Sequence, residues 1–131
     1  MKCETREWVQ KAEGDYQVAK REIRAENAVY DAVCFHAQQC VEKYLKAWLV
    51  ENSRSFPRTH DLVVLFDLCK NEVSELTPHR ASLAFLTTFA IAFRYPGEQA
   101  TEDDAREAVQ TMETLRALIR WRLGVPIEPH E

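Results

Sequence analysis

Between Val33 and Leu49 apolar residues return every third or fourth position, and this spacing restricts the fold more than any other feature of the chain. Ala37, Cys40, Tyr44 and Trp48 draw a central stripe, and Val33, Val41, Leu45 and Leu49 widen it until most of the helix circumference is apolar. A helix of that kind, predicted over about 28–52 with Asn27 as its N-cap, has to lie at the centre of a bundle. A first helix over about 4–25 follows from the stripe Trp8, Ala12, Tyr16, Ala19 and Ile23. Thr59 is the predicted N-cap of a shorter third helix carrying Leu62, Leu65, Phe66 and Cys69. Thr77 and Pro78 predict the opening of a fourth, because proline at the first helical position forfeits only a donor that would lack a partner anyway. A fifth starts at Thr101, with Glu102, Asp103 and Asp104 at its positive end and Arg116, Arg120 and Arg122 toward its negative end. Gly124 and Pro126 stop it. No run alternates with period two, so the expected fold class is all-α, an antiparallel bundle of about five helices.

The run ASLAFLTTFAIAF, residues 81–93, contains no charged side chain. It is expected to be the innermost helix, partly covered by a second subunit, because Phe85, Phe89 and Phe93 offer more apolar surface than so small a domain can bury. With 131 residues, 46% of them hydrophobic, the chain has the size of one domain with one core. Residues 1–131 are therefore expected to form a single unit, with a core over about 5–122 and a tail over 123–131.

The start MKCETREW lacks the apolar segment of a signal peptide, and no stretch approaches the ~18 apolar residues of a membrane span. A cytoplasmic location without membrane contact is the expectation. Cys3, Cys34, Cys40 and Cys69 form no CxxC pair and are expected to be free thiols acting as small buried hydrophobes. A net charge of −4 disfavours coating of duplex nucleic acid, so any nucleotide or RNA contact has to be local.

Elimination narrows the chemistry. Gly14, Gly97 and Gly124 are too far apart in sequence to build a phosphate-cradling loop. His36 and Cys40 share the i,i+4 spacing of helical metal ligands, yet nothing nearby completes a set, and no cofactor is expected. Helix two is more informative. Glu42 and Lys46 stand i,i+4 in the favourable orientation and are expected to form a solvated ion pair on the outer face. Gln39 and Lys43 share another edge with His36, close to Phe35 and Tyr44, where a polar strip could meet a ligand or a twin subunit.

In AFRYPGEQAT, residues 92–101, a helix stop accounts for Pro96 and Gly97. It does not account for Arg94 and Tyr95. Either Arg94 bonds the last helical carbonyls while Tyr95 packs its ring, or the two face a nucleotide or phosphate pocket.

Three blocks in order, FHAQQCVEKYLKAWL at 35–49, PRTHDL at 57–62 and FRYP at 93–96, together with the opening WVQKAEGDYQVA, resemble the HEPN family of small helical domains over about residues 5–122. The resemblance implies a mostly antiparallel bundle that pairs into a homodimer. In prokaryotes such domains are often encoded beside a minimal nucleotidyltransferase, in modules like toxin–antitoxin pairs, and many members are metal-independent ribonucleases. The nuclease members carry an arginine, four to six spacers and then a histidine at the dimer cleft, where arginine would hold phosphate and histidine would move a proton. Arg94 matches the arginine. At 99, 100 and 101, where the histidine would fall, stand Gln99, Ala100 and Thr101, none of which does acid–base work near neutral pH. Arg54 and His60 satisfy the spacing by count alone and lie outside the family position.

The expected function is therefore that of an accessory or binding protein of a two-component nucleotidyltransferase system. It would bind a nucleotide such as ATP, or the transferase, through Arg94, Tyr95, Gln39 and Lys43 in a cleft near Pro96. A ribonuclease using Arg94 with His36 or His60 is the alternative, with RNA as its substrate, and a structural dimer without a small ligand is a third.

Overall fold

The computed structural model describes residues 1–69, 72–90 and 96–127. Five α-helices occur among them, and no strand: α1 Cys3–Ile23, α2 Tyr30–Glu51, α3 Leu62–Cys69, α4 Arg80–Thr87 and α5 Glu102–Leu123. Two 3-10 turns, Ser74–His79 and Thr88–Ala90, flank α4. No helix among the described residues is long and apolar enough to cross a membrane.

The pairing of side chains fixes the directions. Thr5 with Glu51, Asp15 with Lys43, and Glu22 with the Val29 amide run in opposite order along α1 and α2, so these two helices are antiparallel. Glu13 with Arg116 and Lys20 with Glu113 make α1 antiparallel to α5 as well. Helices α2 and α5 consequently run parallel, with Asp31 beside Ala100 and Tyr44 beside Arg120. The chain returns between them through α3 and α4, themselves antiparallel, since Thr87 meets Leu62 and Arg80 meets Asp67. Helices α1 and α2, and α3 and α4, are thus antiparallel hairpins, and the parallel course of α2 and α5 needs the long crossover between them.

Thirteen of the 22 residues of α2 are buried, which places it at the centre as its wide stripe demands. Helix α4 is not innermost. Leu83 and Leu86 are buried, but Ala81, Ala84 and Thr88 are exposed and Phe85 is half-buried. A charge-free helix need not be a buried one, because alanine and threonine tolerate water. Its threonines also turn back on the helix: Thr87 Oγ1 donates to Leu83 O at 2.9 Å and Thr88 Oγ1 to Phe85 O at 2.7 Å, where the α-helix gives way to a 3-10 turn. Residues 91–93 of the charge-free run lie outside the described residues.

Three helix starts differ from expectation. Asn27 sits in the left-handed region at φ 58° and closes the turn after α1, while Val29 is the N-cap of α2, its N–H satisfied by Glu22 Oε2 at 2.8 Å. Thr59 accepts from the Asp61 amide, and it is Asp61 whose carboxylate accepts from Val63 N–H at the start of α3. Pro78 lies inside the Ser74–His79 turn, and α4 begins at Arg80. In each case the residue expected from the sequence stands two positions before the one that caps or opens the helix. Helix α5 follows its sequence closely. Thr101 and Asp104 form a reciprocal capping box with both bonds at 3.0 Å, and Gly124 ends the helix at φ 76°.

Candidate functional site at the α2 edge and the turn before α5

Arg94 and Tyr95 lie outside the described residues, and the site is built from what flanks them. On one side Phe89 and Ala90 are buried. On the other, Pro96 and Gly97 form an exposed turn in which Gly97 takes φ 89°, a conformation that favours glycine. The turn is then fastened: Ala100 N–H donates to Asp31 Oδ1 at 2.6 Å, and Thr101 caps α5. Between these anchors is a cavity of about 310 Å³, walled by Asp31, Phe85, Thr88, Phe89, Glu98, Gln99, Ala100 and Asp104. Phe85 and Phe89 meet edge to face with ring centroids 5.1 Å apart. The described wall offers aromatic edges and carboxylate acceptors, a lining able to take a base or ribose hydroxyls.

The polar edge of α2 is held by one carboxylate that the sequence reading did not single out. Asp15 of α1 receives Lys43 Nζ at 2.6 Å on one oxygen and stands 2.8 Å from His36 Nδ1 with the other. Gln39 lies between them in sequence and donates to Gln38 Oε1 at 2.8 Å. His36 and Lys43 are thus brought together. Lys43 also lines a groove of about 490 Å³ with Glu4, Glu7, Trp8 and Lys11, and neither Lys43 nor Gln39 is in the wall of the cavity beside Pro96.

Glu42 and Lys46 do pair, at 2.9 Å, but not on a solvated face: they are 3% and 8% exposed. Trp8 and Phe56 cover the Lys46 ammonium, with ring centroids 5.5 and 5.7 Å away. Gln38 and His60 Nδ1 complete the bonds to Glu42, and Gln38 also donates to His60 O at 2.9 Å. Arg54, matched to His60 by count, is instead paired with Glu72 at 2.6 Å and donates to Leu68 O. The two residues are committed to different elements and do not form a dyad.

A second polar cluster crosses the core. Arg116 grips Glu13 with two bonds of 2.8 and 2.9 Å, Tyr44 donates to the same carboxylate, and Arg120 Nη1 donates to the Tyr44 oxygen at 2.8 Å. Burial alone would raise the pKa of Glu13, but the bonds from Arg116 and Tyr44 and the charges of both arginines outweigh it and hold the carboxyl below its ordinary range. Burial, reinforced by the bond to Glu13, pushes the Tyr44 hydroxyl up.

The cysteines are free. Cys34, Cys40 and Cys69 are buried, as expected of small hydrophobes, whereas Cys3 is exposed. Burial pushes the Cys34 and Cys69 thiols up to about 12 and Cys40 well above the usual thiol range, which makes all three poor nucleophiles. Among the described residues no three His, Cys, Asp or Glu side chains converge as metal ligands would.

Comparison with known proteins agrees with the helical fold. The crystal structure of TT1696 from Thermus thermophilus superposes with a TM-score of 0.78 at 18% identity, covering 90% of this chain and 97% of that one. The crystal structure of ST0689, an archaeal HEPN homologue, superposes with a TM-score of 0.70 at 24% identity, covering 95% and 98%. At these identities the likeness shows the fold. No curated protein matches significantly. The profile of the HEPN domain matches residues 5–121, nearly the whole bundle, and the chain belongs to the HEPN domain family.

Proposed function

We propose that this HEPN domain is a homodimeric binding module without chemistry of its own, the accessory half of a toxin–antitoxin-like pair with a minimal nucleotidyltransferase. It takes a nucleotide, the transferase, or both beside Arg94, Tyr95 and Pro96. One observation carries the reading: none of the three positions where a nuclease histidine would stand holds an acid–base side chain. Gln99 and Ala100 line the cavity wall, and the Thr101 hydroxyl is taken up in capping α5. Arg94 supplies the fork for phosphate, Tyr95 stacks on a base, and Gln39 and Lys43 extend the surface along α2.

Ribonuclease activity is the second reading, and it rests on a specific contact. Asp15 backs His36 Nδ1 beside Lys43, an arrangement that orients the other ring nitrogen for proton transfer.

Titration with ATP and GTP tests the first reading. A charge-assisted guanidinium contact contributes about 1.5–3 kcal/mol, so Arg94→Ala should weaken binding about tenfold or more at unchanged helical content. Arg94→Lys should recover only part, since it keeps the charge and loses the fork. Equal affinity of wild type and Arg94→Ala would remove Arg94 from the site. Light scattering at ~10–100 µM should give twice the chain mass, and a strictly monomeric mass would contradict the dimer.

A further inference from the structure

The segment after α5 is held by two buried arginines that share a single carboxylate. Gly124 turns the chain back at φ 76°, and Val125 N–H closes on Arg120 O at 3.0 Å. The next two carbonyls accept from guanidinium groups: Pro126 O from Arg120 Nε, and Ile127 O from Arg116 Nη1 at 2.9 Å. Arg116 is 4% exposed and Arg120 is 9% exposed. Glu13 takes both of its arginine bonds from Arg116 and stands 3.7 Å from Arg120 Nη1. The hydrogen bonds of Arg120 end on neutral oxygens, those of Tyr44 and Pro126. Glu113, another carboxylate of α5, is engaged by Lys20 at 2.8 Å and Tyr16 at 3.3 Å.

Among the described residues, two cations against one anion leave a positive charge over in a place where little water reaches. A desolvated cation is ordinarily matched by an anion, and here peptide carbonyls substitute for one. Bonds from a guanidinium to a charged oxygen are roughly twice as strong as bonds to a neutral one. An oxyanion could therefore compete with the carbonyls. Among the described residues, the segment that would have to yield begins at a glycine and is fastened, besides those two bonds, by the Val125 amide and by half-buried Val125 and Ile127.

We propose that Arg116 and Arg120 form a phosphate-binding site covered by Val125–Ile127, with the carbonyls of Pro126 and Ile127 marking where two phosphate oxygens bind. None of these residues lines the cavity beside Pro96, so this inference does not rest on the function proposed for Arg94.

Exchange of the Val125 amide, read by NMR in the whole chain at rising inorganic phosphate, tests it. Phosphate should speed that exchange in a saturable way as the segment is displaced. Gly124→Val disfavours φ 76° and should move the response to about fivefold lower phosphate, while Arg120→Gln in either background should remove it. Adenosine monophosphate acting at lower concentration than inorganic phosphate would identify a nucleotide as the source of the phosphate, and equal action would identify the free ion. No saturable response up to ~50 mM phosphate in wild type and in folded Gly124→Val would overturn the proposal, as would a response that survives Arg120→Gln. If Gly124→Val does not fold, the wild-type titration decides alone.

Discussion

Glu13→Ala should lower the stability of the bundle by about 3–5 kcal/mol, the usual cost of removing one partner from a buried ion pair. Arg116 and Arg120 would keep their burial and lose the one carboxylate that faces them among the described residues, and the Tyr44 hydroxyl would lose its acceptor. Chemical denaturation of wild type and variant measures this directly, and a loss under about 1 kcal/mol would show that the cluster is solvated in solution. The sign with pH follows from the depressed pKa of Glu13. A carboxyl whose folded pKa lies below its unfolded value stabilises fully above the unfolded value, about 4.5, and this contribution is lost as the pH falls through the folded pKa. Wild type should therefore lose stability on acidification in that window. Glu13→Gln, already less stable at neutral pH, should lack this component of the loss.

The second large effect belongs to Glu42. Glu42→Ala would leave the Lys46 ammonium buried beside the rings of Trp8 and Phe56 and remove the carboxylate that Gln38 and His60 contact, at a cost of about 3 kcal/mol. Replacing both partners, Glu42→Met with Lys46→Met, should recover most of that loss, because an apolar pair of similar volume carries no desolvation cost. A double variant as unstable as Glu42→Ala would mean that the bond from Gln38 and the contact with His60, rather than the charge pair, hold this corner.

These two clusters mark the boundary of what the sequence discloses. Helical class, the central position of α2 and the ends of α5 were legible, because apolar spacing, a Thr–Asp capping box and a terminal glycine act over a single turn of chain. Glu42 and Lys46 read as a surface pair because their spacing is visible and their covers are not: Trp8 and Phe56 arrive from α1 and from the loop before α3. The run 81–93 read as innermost because it lacks charge, and sequence alone does not say which alanines face water. Asp15 and Asp31, which hold Lys43 and the turn before α5, gave no local signal, since each bonds a partner in another part of the chain. At the candidate site, His36 and Lys43 were legible as neighbours on one edge of α2, and the structure adds Asp15, the carboxylate that bonds both, whereas Gln39 donates to Gln38.

The claim that this domain binds without cutting is tested most directly by one sample of wild-type protein in chelator. It is first titrated with nucleotide and then incubated with single-stranded RNA. Saturable nucleotide binding with the RNA left intact is the expected result. RNA cleavage that is abolished by Arg94→Ala, by His36→Ala or by His60→Ala would contradict the account and make the protein a metal-independent ribonuclease.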